Sequence, residues 1–353
     1  MATSIIPLPL SGPLSKSSAM PAADPQAAQQ YASKASSENT KKAYASDWRN
    51  FTQWCASQTP PAVSLPATPQ TVALYLTSMA QSGYAWASIR RVPATISQAH
   101  KLSNAAVNPA QHVVVHKVLE GIKRSLGTEA KNAKSPILRE ELIHLLDAVI
   151  PPAMTHSILT LRQLRDRALI LLGFTLAARR SELVAIKLTD LKRETRVIDG
   201  MPMPLLHIRS VKSKTNQTGE VRWKVIGAAK DPKLCPIKAL DAYLFMRGTE
   251  VDGSHGPYLF CGLSADEEDY THGFASDGRE VARILKRYAE IAGLDPTKFA
   301  GHSLRSGFVT ESLLQGVSVL DIIKITEHAS VDMLRPYDRR TSATQKPMTH
   351  KLL

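Results

Sequence analysis

At 353 residues with 43% hydrophobic content, the chain has material for two globular cores. Lys and Arg number 44 against 31 Asp and Glu, a formal charge of +13 with a sequence pI of about 9.6, and that balance points to a polyanionic partner such as nucleic acid. The three cysteines, Cys55, Cys235 and Cys261, lie too far apart for C-x-x-C metal or redox spacing, and their number and the chain's length argue against a disulfide framework, so the sequence reads as a protein of a reducing cytoplasm.

The N-terminal stretch MATSIIPLPLSGPLSKSS lacks a basic n-region, and prolines interrupt its apolar run, which argues against a signal peptide or membrane anchor. Residues 1–35 are rich in Ala, Ser, Pro and Gln and are expected to form a disordered arm. The positive charge is uneven along the chain. Met1 to Lys134 carries 13 Lys and Arg against 5 Asp and Glu, a balance of +8, so this part is expected to grip phosphates.

Residues 36–126 read as a small helical bundle. In ENTKKAYASDWRNFTQWC, Tyr44, Trp48, Phe51 and Cys55 recur at helical spacing, while Lys41, Lys42 and Arg49 fall off that stripe. Further helices are expected over about 69–82, 85–100 and 109–126. The polar GTEAKNAKSP, 127–136, carries Lys131 and Lys134 and reads as a linker. A second domain, 137–353, opens with LREELIHLLDAVI and the apolar LRQLRDRALILLGFTLAARRSELVAI, both helical in pattern. PLLHIRSV and GEVRWKVIG are β-rich runs joined by a turn-like KSKTNQT, which predicts a hairpin, with TRVI as a candidate third strand. Helical patterns return from about 236 onward.

Four short stretches of this second domain carry chemistry. In AARRSEL, Arg179 and Glu182 are spaced i, i+3 and are expected to share a helix face. Lys214 lies in the hairpin turn, His302 and Arg305 repeat the i, i+3 spacing in GHSLRSG, and His328 precedes Tyr337 in HASVDMLRPYDRR. Each has an ordinary explanation, as a surface ion pair, a hairpin-tip lysine, a helix cap or a solvated helix end. Together they are the groups that phosphodiester cleavage by a tyrosine requires. Two guanidinium groups can hold the charge that grows on the non-bridging oxygens, a lysine can protonate the leaving oxygen, and a histidine can exchange protons near neutrality. Arg335, Arg339 and Arg340 flank the tyrosine and suggest a cationic setting for a phenol whose ordinary pKa is about 10.

In that order, AARRSEL, SVKSKTNQTGE, GHSLRSG and EHASVDMLRPY resemble the four catalytic boxes of the tyrosine recombinases, the phage integrase family, and ENTKKAYASDWRNFTQWC is similar to the first helix of that family's core-binding domain. The resemblance covers residues 36–340. It implies a mainly α protein: a helical-bundle core-binding domain plus a mixed α/β catalytic domain with a small antiparallel sheet, closing as a clamp on duplex DNA. It implies Tyr337 as nucleophile, Arg179 and Arg305 as phosphate clamp, Lys214 as general acid, His302 as general base, His328 as a phosphate hydrogen-bond donor and Glu182 as a supporting group. Arg180 and Lys212 are the neighbours that compete with Arg179 and Lys214. Apart from the resemblance, the basic residues Lys41, Lys42, Arg49, Arg90, Arg91, Lys131 and Lys134 are expected to contact DNA.

The function implied is site-specific strand exchange through a covalent 3′-phosphotyrosine, with a type IB topoisomerase-like enzyme or a non-catalytic DNA-binding protein of the same fold as alternatives. No cofactor or metal is called for, because the phosphotyrosine bond conserves the energy of the broken phosphodiester. The implied partners are double-stranded DNA with an inverted-repeat core site and three further copies of the chain, a homotetramer on two DNA sites. No membrane is involved, and the expected location is the bacterial cytoplasm at the nucleoid. Three departures from the family pattern stand out: Ala177-Ala178 where Gly-Leu is common, Glu327 where Gly is common, and Pro336 directly before the tyrosine, which is expected to kink or start the final helix.

Overall fold

The computed structural model describes residues 37–128, 134–151, 159–210, 221–248, 256–263, 270–271 and 278–338. The chain divides into two compact units, Met1–Asn132 and Ala133–Leu353.

In the first unit, α1 (Glu38–Ala56) starts where the Ser37 hydroxyl accepts the Thr40 N–H at 3.2 Å. Its stripe buries Phe51 and Cys55 and leaves Trp48 half-buried, and Phe51 and Trp54 each lie 5.2 Å from the ring of Tyr75 on α2 (Pro69–Gln81). The helix expected over 85–100 is broken in two, α3 (Trp86–Ile89) and α4 (Val92–Leu102). Pro93 is the reason: it has no N–H to give the Ile89 carbonyl, so the helix restarts with proline in its first turn. The next helical pattern likewise opens as a 3₁₀ turn, Pro109–Gln111, before α5 (Val113–Leu126).

In the second unit, the later part of the expected linker is not a free spacer. Ser135 donates to the Lys298 carbonyl at 2.8 Å and Ile137 to the Ser303 carbonyl at 3.0 Å, so the chain lies along the segment that carries GHSLRSG. That approach needs Gly307, where a Cβ would fall 1.8 Å from the Ile137 oxygen. The core forms around α7 (Leu161–Thr175), buried almost throughout, which packs on α6 (Arg139–Val149) and on α9 (Pro236–Arg247); α10 (Arg279–Ile291) joins the same core from the α6 side. Between α7 and α9 in sequence lie the short α8 (Arg180–Val184) and three antiparallel strands in the order β1-β2-β3: Leu191–Ile198, Met201–Ser210 and Arg222–Gly227. TRVI is the second half of β1, which begins at Leu191. A two-residue pair, β4 (Gly262–Leu263) with β5 (Tyr270–Thr271), completes the sheet content of the described residues.

The last described elements are α11 (Ser303–Leu314), α12 (Val319–Thr326) and a 3₁₀ helix, Val331–Tyr337. Pro336 neither starts nor kinks an α-helix. It is the penultimate residue of the 3₁₀ turn, and Tyr337 ends that turn. These elements close over a satellite core of Val309, Leu313, Ile322 and Leu334, separate from the main one. All three cysteines are buried and free. Among the described residues no helix is long and apolar enough to cross a membrane, and no cluster of His, Cys, Asp and Glu could hold a metal ion.

Candidate active site

Arg305 lies in the first turn of α11 and is among the largest fully buried side chains. A buried guanidinium must have its donors satisfied. Nη1 donates to the Ala177 carbonyl at 2.7 Å, and Nη2 donates to the Thr326 carbonyl at 2.5 Å and faces His328 Nε2 at 3.2 Å. Of five N–H groups, two are left without a partner among the described residues. Burial, followed by the charge of Arg179, pushes its pKa down to about 10, so the side chain stays cationic near neutral pH.

The tautomer of His328 follows from its neighbours. Thr326 Oγ1 gives its hydrogen to the Ile322 carbonyl at 2.7 Å, so it accepts from His328 Nδ1 at 2.7 Å, which leaves Nε2 to accept from Arg305. Burial first, then Arg305 and Arg179, push the imidazole down to about 4. As folded, His328 is therefore an acceptor that braces Arg305, in place of the free phosphate donor that the family resemblance implies.

Arg179 and Glu182 do not share a helix face, because Arg179 has extended backbone and caps α8 from outside. Glu182 reaches back, accepting the Arg179 N–H at 3.0 Å on one oxygen and Nη1 at 2.6 Å on the other. The two adjacent arginines part company here. Arg179 is half-buried and close enough to Arg305, His302, His328 and Tyr337 to move the titration of all four, whereas Arg180 is exposed, lies against Gly278 and Gly301, and of these four acts on His302 alone, less than Arg179 does. The turn before Arg179 is unusual: Ala177 has φ +46°, a left-handed value that explains why glycine is common there, and Glu327, the C-cap of α12, has φ +55° for the same reason.

Tyr337 is held by one hydrogen bond in this centre, between its hydroxyl and His302 Nε2 at 3.1 Å. His302 stands directly before α11 with an exposed edge. Desolvation, then the charges of Arg305 and Arg179, hold its pKa below the ordinary histidine range, so the neutral ring can receive the phenol proton. Burial raises the phenol pKa against the opposing pull of Arg305 and Arg179. Those two are the cations that serve the phenol. Arg335 pairs instead with Asp332 at 3.1 Å on the surface, contrary to the expectation from sequence, and Arg339 and Arg340 lie outside the described residues. Tyr288, by contrast, is tied to the buried Asp166 at 3.0 Å, and burial drives its pKa far up.

The phage integrase family model matches residues 144–343. An integrase/recombinase XerD homolog of Selenomonas ruminantium is 35% identical over 306 residues, 86% of this chain and 82% of the relative. The tyrosine recombinase XerC of Myxococcus xanthus is 26% identical over 271 residues, 72% of this chain and 77% of its own. The chain belongs to the phage integrase family. As a member it is an enzyme of the tyrosine-recombinase type, and its fold agrees. The Tn1549 transposon integrase, solved with transposon right-end DNA, resembles it at a TM-score of 0.58 and 14% identity, covering 92% of this chain and 97% of that one. XerH bound to palindromic difH substrate does so at 0.53 and 17%, covering 76% and 68%.

The integrase residues expected from sequence are thus in part assembled. Arg179, Glu182, His302, Arg305, His328 and Tyr337 form one constellation; Lys214, its competitor Lys212, and Lys131 lie outside the described residues. Of the remaining basic positions, Lys42, Arg49 and Arg90 are exposed. Lys41 pairs with Glu38 at 2.7 Å, and Lys134 donates to the Thr297 carbonyl at 2.8 Å. Arg91 is committed to the buried Asp47 through two contacts of 2.6 and 2.8 Å, which makes it a strut of the helical unit. The sequence reading missed Thr326, whose carbonyl and hydroxyl place Arg305 and His328, and Lys224, on β3 beside the clamp. The signal for Lys224 was a lysine at an inward position of an alternating strand.

Proposed function

We propose that this integrase cleaves and rejoins duplex DNA at specific sites through a 3′-phosphotyrosine on Tyr337. The observation that carries the reading is the Tyr337 hydroxyl lying 3.1 Å from His302 Nε2 in the field of Arg179 and Arg305. Tyr337 Oη attacks the scissile phosphorus and its proton passes to His302 Nε2. Arg179 and Arg305 stabilise the charge on the two non-bridging oxygens, Arg179 held in place by Glu182, and Arg305 by Thr326 and His328. The bond to the 5′ oxygen breaks, and Lys214 of the β2–β3 connection supplies that oxygen with a proton. A 5′ hydroxyl from a second strand reverses the sequence: it attacks the phosphotyrosine, and the phenolate leaves and regains its proton.

Exchange of strands needs two DNA sites brought together, and the partner is therefore duplex DNA with inverted-repeat arms, each arm bound by one copy in a homotetramer. The relatives' names support this reading: recombinases of the Xer type, one of them solved on a palindromic substrate, and a transposon integrase solved on its transposon end. A duplex-DNA partner supports a location at the bacterial nucleoid. The helical unit, residues 36–126, and the catalytic unit, residues 137–353, joined through 127–136, would both contact DNA.

Tyr337→Phe tests the chemistry, because it removes one oxygen and keeps the ring. Covalent capture of a nicked suicide duplex is expected to vanish while DNA affinity stays within about twofold. Mass spectrometry of the wild-type adduct is expected to return a phosphotyrosyl peptide containing Tyr337, and any other tyrosine in that peptide would overturn the assignment.

A further inference from the structure

Lys224 sits on a strand face that otherwise points into the core. Along β3, Trp223 and Val225 are each 47% exposed, whereas Lys224 and Ile226 turn inward, paired in register with Ile208 and Leu206. An ammonium group withdrawn from water costs free energy unless it is put to use. Here Nζ donates to the Leu176 carbonyl at 3.3 Å, and the side chain lines a cavity of about 310 Å³ with Leu176, Ala178, Glu182 and Ile208.

Leu176 and Ala177 are consecutive residues of the turn that carries α7 into Arg179. Lys224 holds the first carbonyl and Arg305 the second. Ala177 is the strained residue of that turn, at φ +46°, a conformation that persists only when surrounding contacts enforce it. The charges that face Lys224 come from every side of the centre: Glu182 and Glu327 favour its charged form, Arg305 and Arg179 oppose it, and burial lowers its pKa most of all.

We propose that Lys224 is a positioning residue of the phosphate clamp: by gripping the Leu176 carbonyl it fixes the turn that delivers Arg179 to the scissile phosphate. This role is separate from that of the hairpin lysine that protonates the leaving oxygen, and it rests on the reading of Arg179 and Lys214 given under Proposed function.

Single-turnover cleavage of a nicked duplex tests it, using an ordinary phosphodiester and a 5′-bridging phosphorothiolate whose thiolate leaves without a proton. Lys224→Met is expected to slow both substrates by about tenfold to a hundredfold with DNA affinity within about twofold, whereas Lys214→Ala is slowed on the oxygen substrate and rescued on the sulfur one. Added to Arg179→Ala, Lys224→Met should cost less than about threefold more, because the group it positions is already gone. Rescue of Lys224→Met by sulfur would overturn the proposal by making Lys224 the acid. So would wild-type rates on both substrates, or full additivity with Arg179→Ala, the signature of a merely structural side chain. If Lys224→Met does not fold, Lys224→Arg carries the test: it keeps a donor for the Leu176 carbonyl and should retain a rate within about threefold of wild type on both substrates, and a loss as large as that of Arg179→Ala would sink the idea. Failure of the underlying reading registers separately, as a Lys214→Ala variant that sulfur does not rescue.

Discussion

Arg305 and Tyr337 belong to one catalytic centre but are held by very different amounts of protein. Arg305 is buried in the first turn of α11, with two carbonyls and a histidine fixing its guanidinium, next to the main core. Tyr337 ends a seven-residue 3₁₀ helix that rests on a four-residue satellite core, and its hydroxyl has one hydrogen bond, to a histidine with an exposed edge. The difference teaches how this site divides its labour. Under the proposed function, the group that meets growing charge is preorganised, since reorganisation at the moment of reaction would cancel its benefit; the proposed nucleophile is carried on a lightly anchored element.

The largest effect should come from breaking the fixed half. Arg305→Ala removes the proposed phosphate donor and a partner of the Ala177 and Thr326 carbonyls, so cleavage should fall by about a hundredfold to a thousandfold, and thermal unfolding should show lost stability as well. A variant with normal cleavage on a suicide duplex would contradict the clamp.

Acid should act on the same half through His328. Its folded pKa of about 4 lies below the unfolded value of 6.5, so the unfolded chain binds the extra proton between these limits. Stability is therefore full above about pH 6.5 and falls as the pH drops toward 4, by up to about 3 kcal/mol from this residue. The measurement is urea unfolding of wild type against His328→Gln across that window: the difference between the two should shrink steadily with acid, and a constant difference would refute the coupling.

The lightly held half should yield with less damage. Leu334→Ala opens a hole in the satellite core at a local cost of about 2–3 kcal/mol. Adduct formation should drop while hydrogen exchange in α7 stays protected, because α7 belongs to the other core. Equal loss of protection in α7 would erase the distinction between the two halves. The smallest effect is expected at Glu327, where φ is +55°: Glu327→Gly should raise stability by about 0.5–1 kcal/mol in urea unfolding, by relieving left-handed strain.

Much of the fold was legible in the residues. The stripe through Phe51 and Cys55, the apolar run of α7 and the alternation in β2 and β3 each encode an element locally, because their periods match the helix or the strand. Proline carries a local signal that periodicity hides: Pro93 divides the helix that the pattern over 85–100 predicts, and Pro336 sits near the end of a 3₁₀ helix in place of the expected kink or helix start. The site was legible as a set of residue types in order, since H-x-x-R and H-x₈-Y are spacings along the chain.

Its contacts were not. That Arg91 belongs to Asp47 and that His328 accepts from Arg305 each depend on which side chain a backbone segment 44 or 23 residues away brings within 3.2 Å. The sequence by itself determined the chemistry available to this protein, through its family motifs and basic charge. Only the tertiary structure decided which of the cations meet the phenol, why two positions where glycine is common adopt positive φ, and why a lysine faces inward on β3. The physical reason is that hydrogen bonds and desolvation act through space between segments more than a hundred residues apart, such as Ala177 and Arg305, and no local pattern records such a pairing.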